Sequence, residues 1–211
     1  MHTPRAFVET DLVLLDDLLE RDPFVTVVTV DDGLPRATAL PVLYRREGDR
    51  IVVEGHWSRA NPQSRHQGDA LLIIHGPHAY VSPAWYPDKQ EQARVPTWNY
   101  AMAQLEGRLE TIDGEDDKID LLARLSAHFE AGAGSDWRFD PADPRERMQV
   151  RGIVGFRFLP TRIDIKHKLN QNHPLPNRES VASKLTASGI EREREIAAMM
   201  RASFHDTSRE D

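Results

Sequence analysis

Between residues 24 and 54, short β-forming runs alternate with tight-turn signals, and that alternation constrains the fold more than any other feature. The run FVTVVTV at 24–30 is β-branched and aromatic, which suits a half-buried pleated strand. Asp31, Asp32 and Gly33 make a hairpin turn, because Asp and Gly tolerate the positive φ such turns need. Residues 34–44 run back, and Glu47, Gly48 and Asp49 turn the chain again into 50–54. Strands joined by turns this short pair as an antiparallel meander.

Pro41 adds a local constraint. It lies well inside the returning strand, yet has no N–H to give to a ladder. The strand must be an edge there, be bulged, or open where something other than a strand sits. A plain edge strand satisfies the first reading. A flat ligand against the backbone of Ala39, Leu40 and Pro41 satisfies the last.

The remaining spacing predicts a single mainly β (α+β) domain over 1–211. A helix is expected over 9–21, with Thr10 as its cap and Leu12, Leu15, Leu18 and Leu19 on one face. Residues 70–75 form a nearly continuous apolar run, read as a strand buried on both faces. Gly76 and Pro77 are expected to break it before β structure resumes over 78–81. A long β region spans 97–112, with Gly107 marking a bulge or sharp bend. An inserted helix is expected over 115–130, with a stripe of Ile119, Leu122, Leu125 and Phe129. Strands follow at 153–158 and 162–166, then charged helices over 177–205. About seven strands with peripheral helices and a helical C-terminal tail favour a closed or partly closed antiparallel barrel.

Composition excludes several chemistries. The formal charge of −7 gives no overall pull toward nucleic acid or anionic lipid. No helix-turn-helix is recognisable either, so direct DNA binding is not expected. The absence of cysteine removes disulfides, thiolate metal sites, iron–sulfur clusters and cysteine nucleophiles together. It accords with a cytoplasmic location. No signal-peptide pattern and no apolar run near the roughly 20 residues of a membrane span is present, so no membrane association is expected. No Ser–His–Asp arrangement or Gly-rich dinucleotide fingerprint is recognisable, and the catalytic residues, if any, stay unknown.

The chemistry-bearing stretch follows the third strand. After Gly55 come His56, Trp57, Ser58 and Arg59, then Asn61 and Pro62, a preferred N-cap followed by a preferred first helical residue. A short helix is expected to begin there and end near Gly68. The Ser58 hydroxyl, the Arg59 guanidinium and the exposed N–H groups of a first helical turn suit a dianionic phosphate. The residues alone equally allow a strand, a turn and an Arg59 in solvent. His56 and His66 lie on either side of this turn, and His75 and His78 flank Gly76 and Pro77. Imidazoles ligate zinc or haem, but no pair at helical spacing and no carboxylate cluster supports them. No metal site is expected, and haem is a secondary alternative.

Four blocks taken together are more specific. HWSRANPQ at 56–63, GPHAYVSPAWY at 76–86, VPTWNY at 95–100 and KLNQN at 168–172 resemble, in this order, the PaiB-type FMN-binding proteins and negative transcriptional regulators. The resemblance covers residues 7–204. It implies an FMN-binding split β-barrel that forms a homodimer, with FMN in a groove at the dimer interface. By position it assigns Ser58 and Arg59 to the FMN phosphate, with His56 and Asn61 shaping the loop. Ala60 stands where related pyridoxamine-phosphate oxidases carry a basic residue, which leaves one positive charge fewer. Ala39, Leu40 and Pro41 would face the isoalloxazine edge. Trp98 and Asn99 would close the ring site, and Lys168 and Asn172 fall in a family block without a fixed role.

Two functional classes follow. One is an FMN-dependent oxidoreductase, in which the flavin carries hydride or electron chemistry. The other is a regulator or sensor, with flavin, with haem or without a cofactor, that acts through a ligand or partner. Nothing in the residues names a substrate, an electron donor or a regulated gene.

Overall fold

Asp32 and Gly33 adopt φ of 48° and 76°, and Gly48 adopts 61°. The two expected turns are therefore tight turns with left-handed residues. Around them the computed structural model, which describes residues 1–205, builds seven strands and five α-helices among those residues. In chain order these are β1 (Val8–Glu9), α1 (Val13–Arg21), β2 (Phe24–Asp31), β3 (Leu34–Glu47), β4 (Arg50–Ser58) and β5 (Gly68–Val81). There follow β6 (Thr97–Ile112), α2 (Glu115–Gly132), α3 (Pro144–Gln149), β7 (Ile153–Lys168), α4 (Leu175–Thr186) and α5 (Glu191–Ala202).

The strands bond in the order β1-β7-β4-β3-β2-β5-β6, and β6 pairs back to β7. That last pairing closes the ring, so the sheet is an antiparallel barrel, as expected. Contacts group into two compact units. Among the described residues the first comprises 1–18, 75–103 and 164–205, and the second Leu19–Ile74 and Gln104–Ile163.

Several expectations change in detail. Helix α1 begins at Val13 rather than at residue 9, because Val8 and Glu9 pair with Lys166 and Ile165 as strand β1. The carboxylate of Asp11, not Thr10, accepts the Val13 N–H at 2.9 Å. Strand β5 runs unbroken through Gly76 and Pro77. Gly76 is there for space: a Cβ on it would sit 2.6 Å from Leu18 Cδ2 and 2.8 Å from the Ala101 carbonyl. Nor is β5 buried on both faces, since Leu72 and Ile74 are sealed while Leu71 and Ile73 are only half-buried. Strand β7 is likewise continuous across 159–161. The expected helix after Asn61 is one 3-10 turn, Pro62–Arg65, whose Asn61 side chain accepts the Gln63 N–H. Helix α2 buries Leu121, Leu125 and the stem of Lys118 in place of Ile119 and Leu122. Helix α3, capped by Asp143, was not expected at all.

In the second unit, Leu43, Leu121 and Leu125 form a cluster flanked by Ile112 and Phe129. A charge is sealed in this unit as well. Glu54 is fully buried and accepts from Arg157 at 2.9 and 3.1 Å, Arg124 at 2.6 Å and Arg45 at 2.8 Å. In the first unit, Ala79, Val81, Tyr86 and Leu169 pack against Val181, Leu185, Ile196 and Met200 of the C-terminal helices.

Gly107 marks a close approach. A Cβ there would lie 2.2 Å from the Leu159 carbonyl oxygen and 2.7 Å from the Pro160 Cα, both backbone atoms that cannot rotate away. Gly107→Ala is expected to destabilise the protein by about 3 kcal/mol, the upper end for overpacking. A lowered denaturation midpoint in urea with an unchanged slope would show it; an unchanged midpoint would contradict it.

Candidate functional site

Strand β3 changes partners at Pro41. It pairs with β2 from Leu34 to Pro41 and with β4 only from Val42 to Glu47. Strand β4 pairs with β7 from Val53 to Ser58, so beyond Gly55 it keeps only the β7 partner. Strands β3 and β4 therefore part at Pro41, whose missing N–H removes no rung of their ladder. On that side Ala39, Leu40 and Pro41 have no β4 partner. Leu40 is buried, whereas Ala39 and Pro41 are exposed.

The turn after β4 folds back onto the β2–β3 hairpin. Asn61 Nδ2 donates to Thr38 Oγ1 at 3.0 Å. Gln63, buried, donates from Nε2 to Thr29 Oγ1 at 3.0 Å and to the Arg36 carbonyl at 3.1 Å, and its Oε1 accepts from Thr38. The turn is thus tied to both strands of the β2–β3 hairpin. Beside it lies a cleft of about 350 Å³ lined by Thr29, Asp31, Arg36, Gln63, Arg65 and His66, among others. Among the described residues neither Arg36 nor Arg65 pairs with a carboxylate. Both arginines are exposed, and the Asp31 carboxylate lines the same cleft.

Arg59 sits differently from its expected role. Its guanidinium donates to Asp113 at 2.5 and 3.5 Å, to the Arg151 carbonyl at 2.9 Å and to the Ile153 carbonyl at 2.9 Å. Asp113 also accepts from Lys118 at 3.0 Å. Hydrogen bonds from Arg59 and then Lys118 hold the Asp113 carboxyl below its ordinary range, and the same pairing raises Arg59. Arg59 is therefore a latch between the end of β4 and the segments at 113 and 151–153. Ser58 is exposed, and its Oγ accepts the Ala60 N–H at 3.4 Å. His56 is half-buried, its Nδ1 has no partner, and burial lowers its pKa.

The remaining candidates belong to the first unit. Trp98 is 50% exposed. Asn99 is sealed, donating to Met200 Sδ at 3.3 Å with its Oδ1 unpartnered, so its side chain faces the core. Lys168 donates to the Trp98 carbonyl at 2.7 Å and to the Thr97 hydroxyl. Asn172 is exposed, and the asparagine of its block with a buried task is Asn170. Asn170 takes φ of 62° and donates to the Tyr86 hydroxyl at 2.9 Å. Much of the KLNQN block is thus a structural clasp.

Sequence reasoning missed Arg36, Arg65 and Gln63. A signal existed for one of them: Arg65 follows Pro62 by one turn and so returns to the same side. Arg36 and Gln63 needed the hairpin and the turn to be brought together.

Residues 1–162 match the family described as "Putative FMN-binding domain". The chain belongs to that family. It is 28% identical over 95% of its length to the protease synthase and sporulation protein PAI 2 of Bacillus subtilis, of which it covers 96%. Its fold is shared with an FAD- and haem-binding protein from Mycobacterium smegmatis, with a TM-score of 0.57 and 22% identity, covering 83% of this chain and 79% of that one. A flavocytochrome from Azotobacter vinelandii gives 0.54 and 21% over 79% and 72%. These likenesses establish the split-barrel fold. Among the described residues no helix is long and apolar enough to cross a membrane.

Proposed function

We propose that this PaiB-type protein binds FMN beside Pro41, with the phosphate in the Arg36–Arg65 cleft and the ring edge along Ala39, Leu40 and Pro41. The observation that carries this is a pair of guanidiniums that pair with no carboxylate among the described residues, in a cleft that Asp31 also lines, near the point where the β3–β4 ladder ends. A phosphate monoester carries about −1.5 to −2 near pH 7 and accepts from both. Asn61 and Gln63 hold the turn in place, His56 and Ser58 border it, and Arg59 latches its base. Bound flavin supplies hydride or electron transfer, while the protein supplies position and charge. The Bacillus relative's name refers to protease synthesis and sporulation, and a flavin-dependent regulator that acts through a ligand or partner accords with an acidic chain.

Visible absorption of freshly purified protein, before and after incubation with FMN and desalting, tests the reading. Retained flavin bands support it. A featureless trace after FMN, or a Soret band in place of flavin, overturns it.

A second copy completes this picture. Register pairs Phe24 with Pro41, Thr26 with Ala39, Val28 with Ala37 and Val30 with Pro35, and none of these eight residues is charged. Paired residues share a face, and Phe24 and Val30 are 55% and 58% exposed. Such a neutral apolar face is covered in a homodimer. Sedimentation equilibrium is expected to give a dimer at micromolar concentration; a stable 24.0 kDa monomer would defeat the proposal.

A further inference from the structure

Within the first unit, the connection from β5 to β6 is tied down around the Tyr86 ring. Tyr86 is sealed, and Arg94 lies over its ring at 5.6 Å from the centroid. The Arg94 guanidinium donates to both oxygens of Asp88, with Nε at 2.9 Å from Oδ1. Asp88 also accepts from Asn177 of α4 at 3.0 Å. Its carbonyl accepts the Glu91 and Gln92 N–H groups at 3.0 and 2.9 Å. Residues 88–94 are therefore a short strap, closed on itself by an ion pair and fastened at one end to α4.

His173 backs this strap. Its half-buried ring stacks on Tyr86, with 4.8 Å between centroids and 6° between planes. Among the described residues its Nδ1 is buried with no hydrogen-bond partner. Protonation there adds a charge and a buried donor with no acceptor, and both are costly. Charged groups face the ring from two elements, Arg94 and Asp88 on the strap and Lys168 at the end of β7. Burial and then the charge of Arg94 lower the His173 pKa; Asp88 opposes them, Lys168 adds to them, and the net shift is downward. Arg94 foremost holds the Asp88 carboxyl down at about 2, and burial raises the Tyr86 hydroxyl. Both keep their charge state between about pH 5 and 8, the range in which histidine changes its own.

We propose that His173 is an acid-released catch on this strap. Neutral, it stacks on Tyr86 and holds the strap shut. Protonated, it leaves the stack, and the Arg94–Asp88 pair loses the packed ring behind it. The strap runs directly into Trp98 and Asn99 near the start of β6, so its release loosens the entry to that strand. The sign follows from the downward shift: the catch is fully engaged above the ordinary 6.5 and is lost as pH falls through the lower folded-state value.

Hydrogen exchange of the full chain, followed by NMR from about pH 7.5 to about pH 5, tests the catch. Rates are divided by the intrinsic rate at each pH. Protection of the Glu91 and Gln92 amides is expected to fall about tenfold on acidification, while the β2–β3 ladder keeps its own. In His173→Phe, which can stack but takes no proton, that fall is expected to vanish. Unchanged protection in the wild type, or an equal fall in His173→Phe, overturns the catch. If a thermal melt shows that His173→Phe does not fold, the wild type decides alone. The His173 ring resonances are then expected to titrate with a midpoint below 6.5 that coincides with the loss of strap protection. A midpoint above 6.5, or one that differs from that of the strap, overturns the proposal.

Discussion

Arg65→Ala is expected to weaken FMN by about ten- to a hundredfold while changing riboflavin by no more than about twofold. The phosphate is the only difference between the ligands, so their ratio isolates its contacts. A charge-assisted hydrogen bond in a partly desolvated cleft contributes about 1.5–3 kcal/mol, which sets the range. Arg36→Ala is expected to act in the same direction. Arg59→Ala is the informative control, because that guanidinium is already neutralised by Asp113 and bound to two backbone carbonyls. Its loss should leave the FMN-to-riboflavin ratio unchanged. Paired titrations of the three variants decide the matter. A ratio that collapses in Arg59→Ala and survives in Arg65→Ala would move the phosphate to the Ser58 turn.

Glu54→Ala should cost about 3 kcal/mol of stability, or roughly 6–12 °C in Tm for a chain of this size. The carboxylate is fully buried and organises three arginines drawn from β3, α2 and β7. Removing one partner of a buried ionic cluster costs about 3–5 kcal/mol when the survivors are stranded. Here Arg45 and Arg157 have side chains 48% and 44% exposed and can turn to water, which places the effect at the low end. Calorimetry of the variant would show it, and a Tm within a degree of wild type would refute it.

The same carboxylate fixes a direction with pH. Burial raises its pKa, but hydrogen bonds from Arg124 and Arg157 and the charges of Arg124 and Arg45 outweigh that, and the net shift is downward. A depressed folded-state pKa means stability that is fully present above the unfolded value, near 4.5, and is lost as pH falls through the folded value. Wild type should therefore lose stability below about pH 4.5 more steeply than Glu54→Gln.

Local patterns in the sequence determined the β2–β3–β4 meander and its antiparallel pairing. Asp32, Gly33 and Gly48 demanded left-handed turns, β-branched runs demanded strands, and short connections left antiparallel pairing as the available geometry. Pro41 declared in advance that a ladder had to fail there, and it does. These are properties of residues a few positions apart, so one dimension suffices to read them. The family blocks carried the rest of the site, but as names of positions rather than as contacts.

Tertiary structure decided what depends on distant neighbours. Gly76 reads as a breaker, yet Leu18 and Ala101 use its missing side chain as packing space and the strand runs through. Arg59 reads as a phosphate ligand, yet Asp113, far along the chain, claims its guanidinium. Arg36 reads as an ordinary strand residue until the turn at Asn61 folds back and sets Arg65 beside it. Glu54 reads as the end of a strand, and only the convergence of Arg45, Arg124 and Arg157 makes its burial tolerable. In each case the deciding energy is a steric contact or a charge pairing between segments that no local window contains.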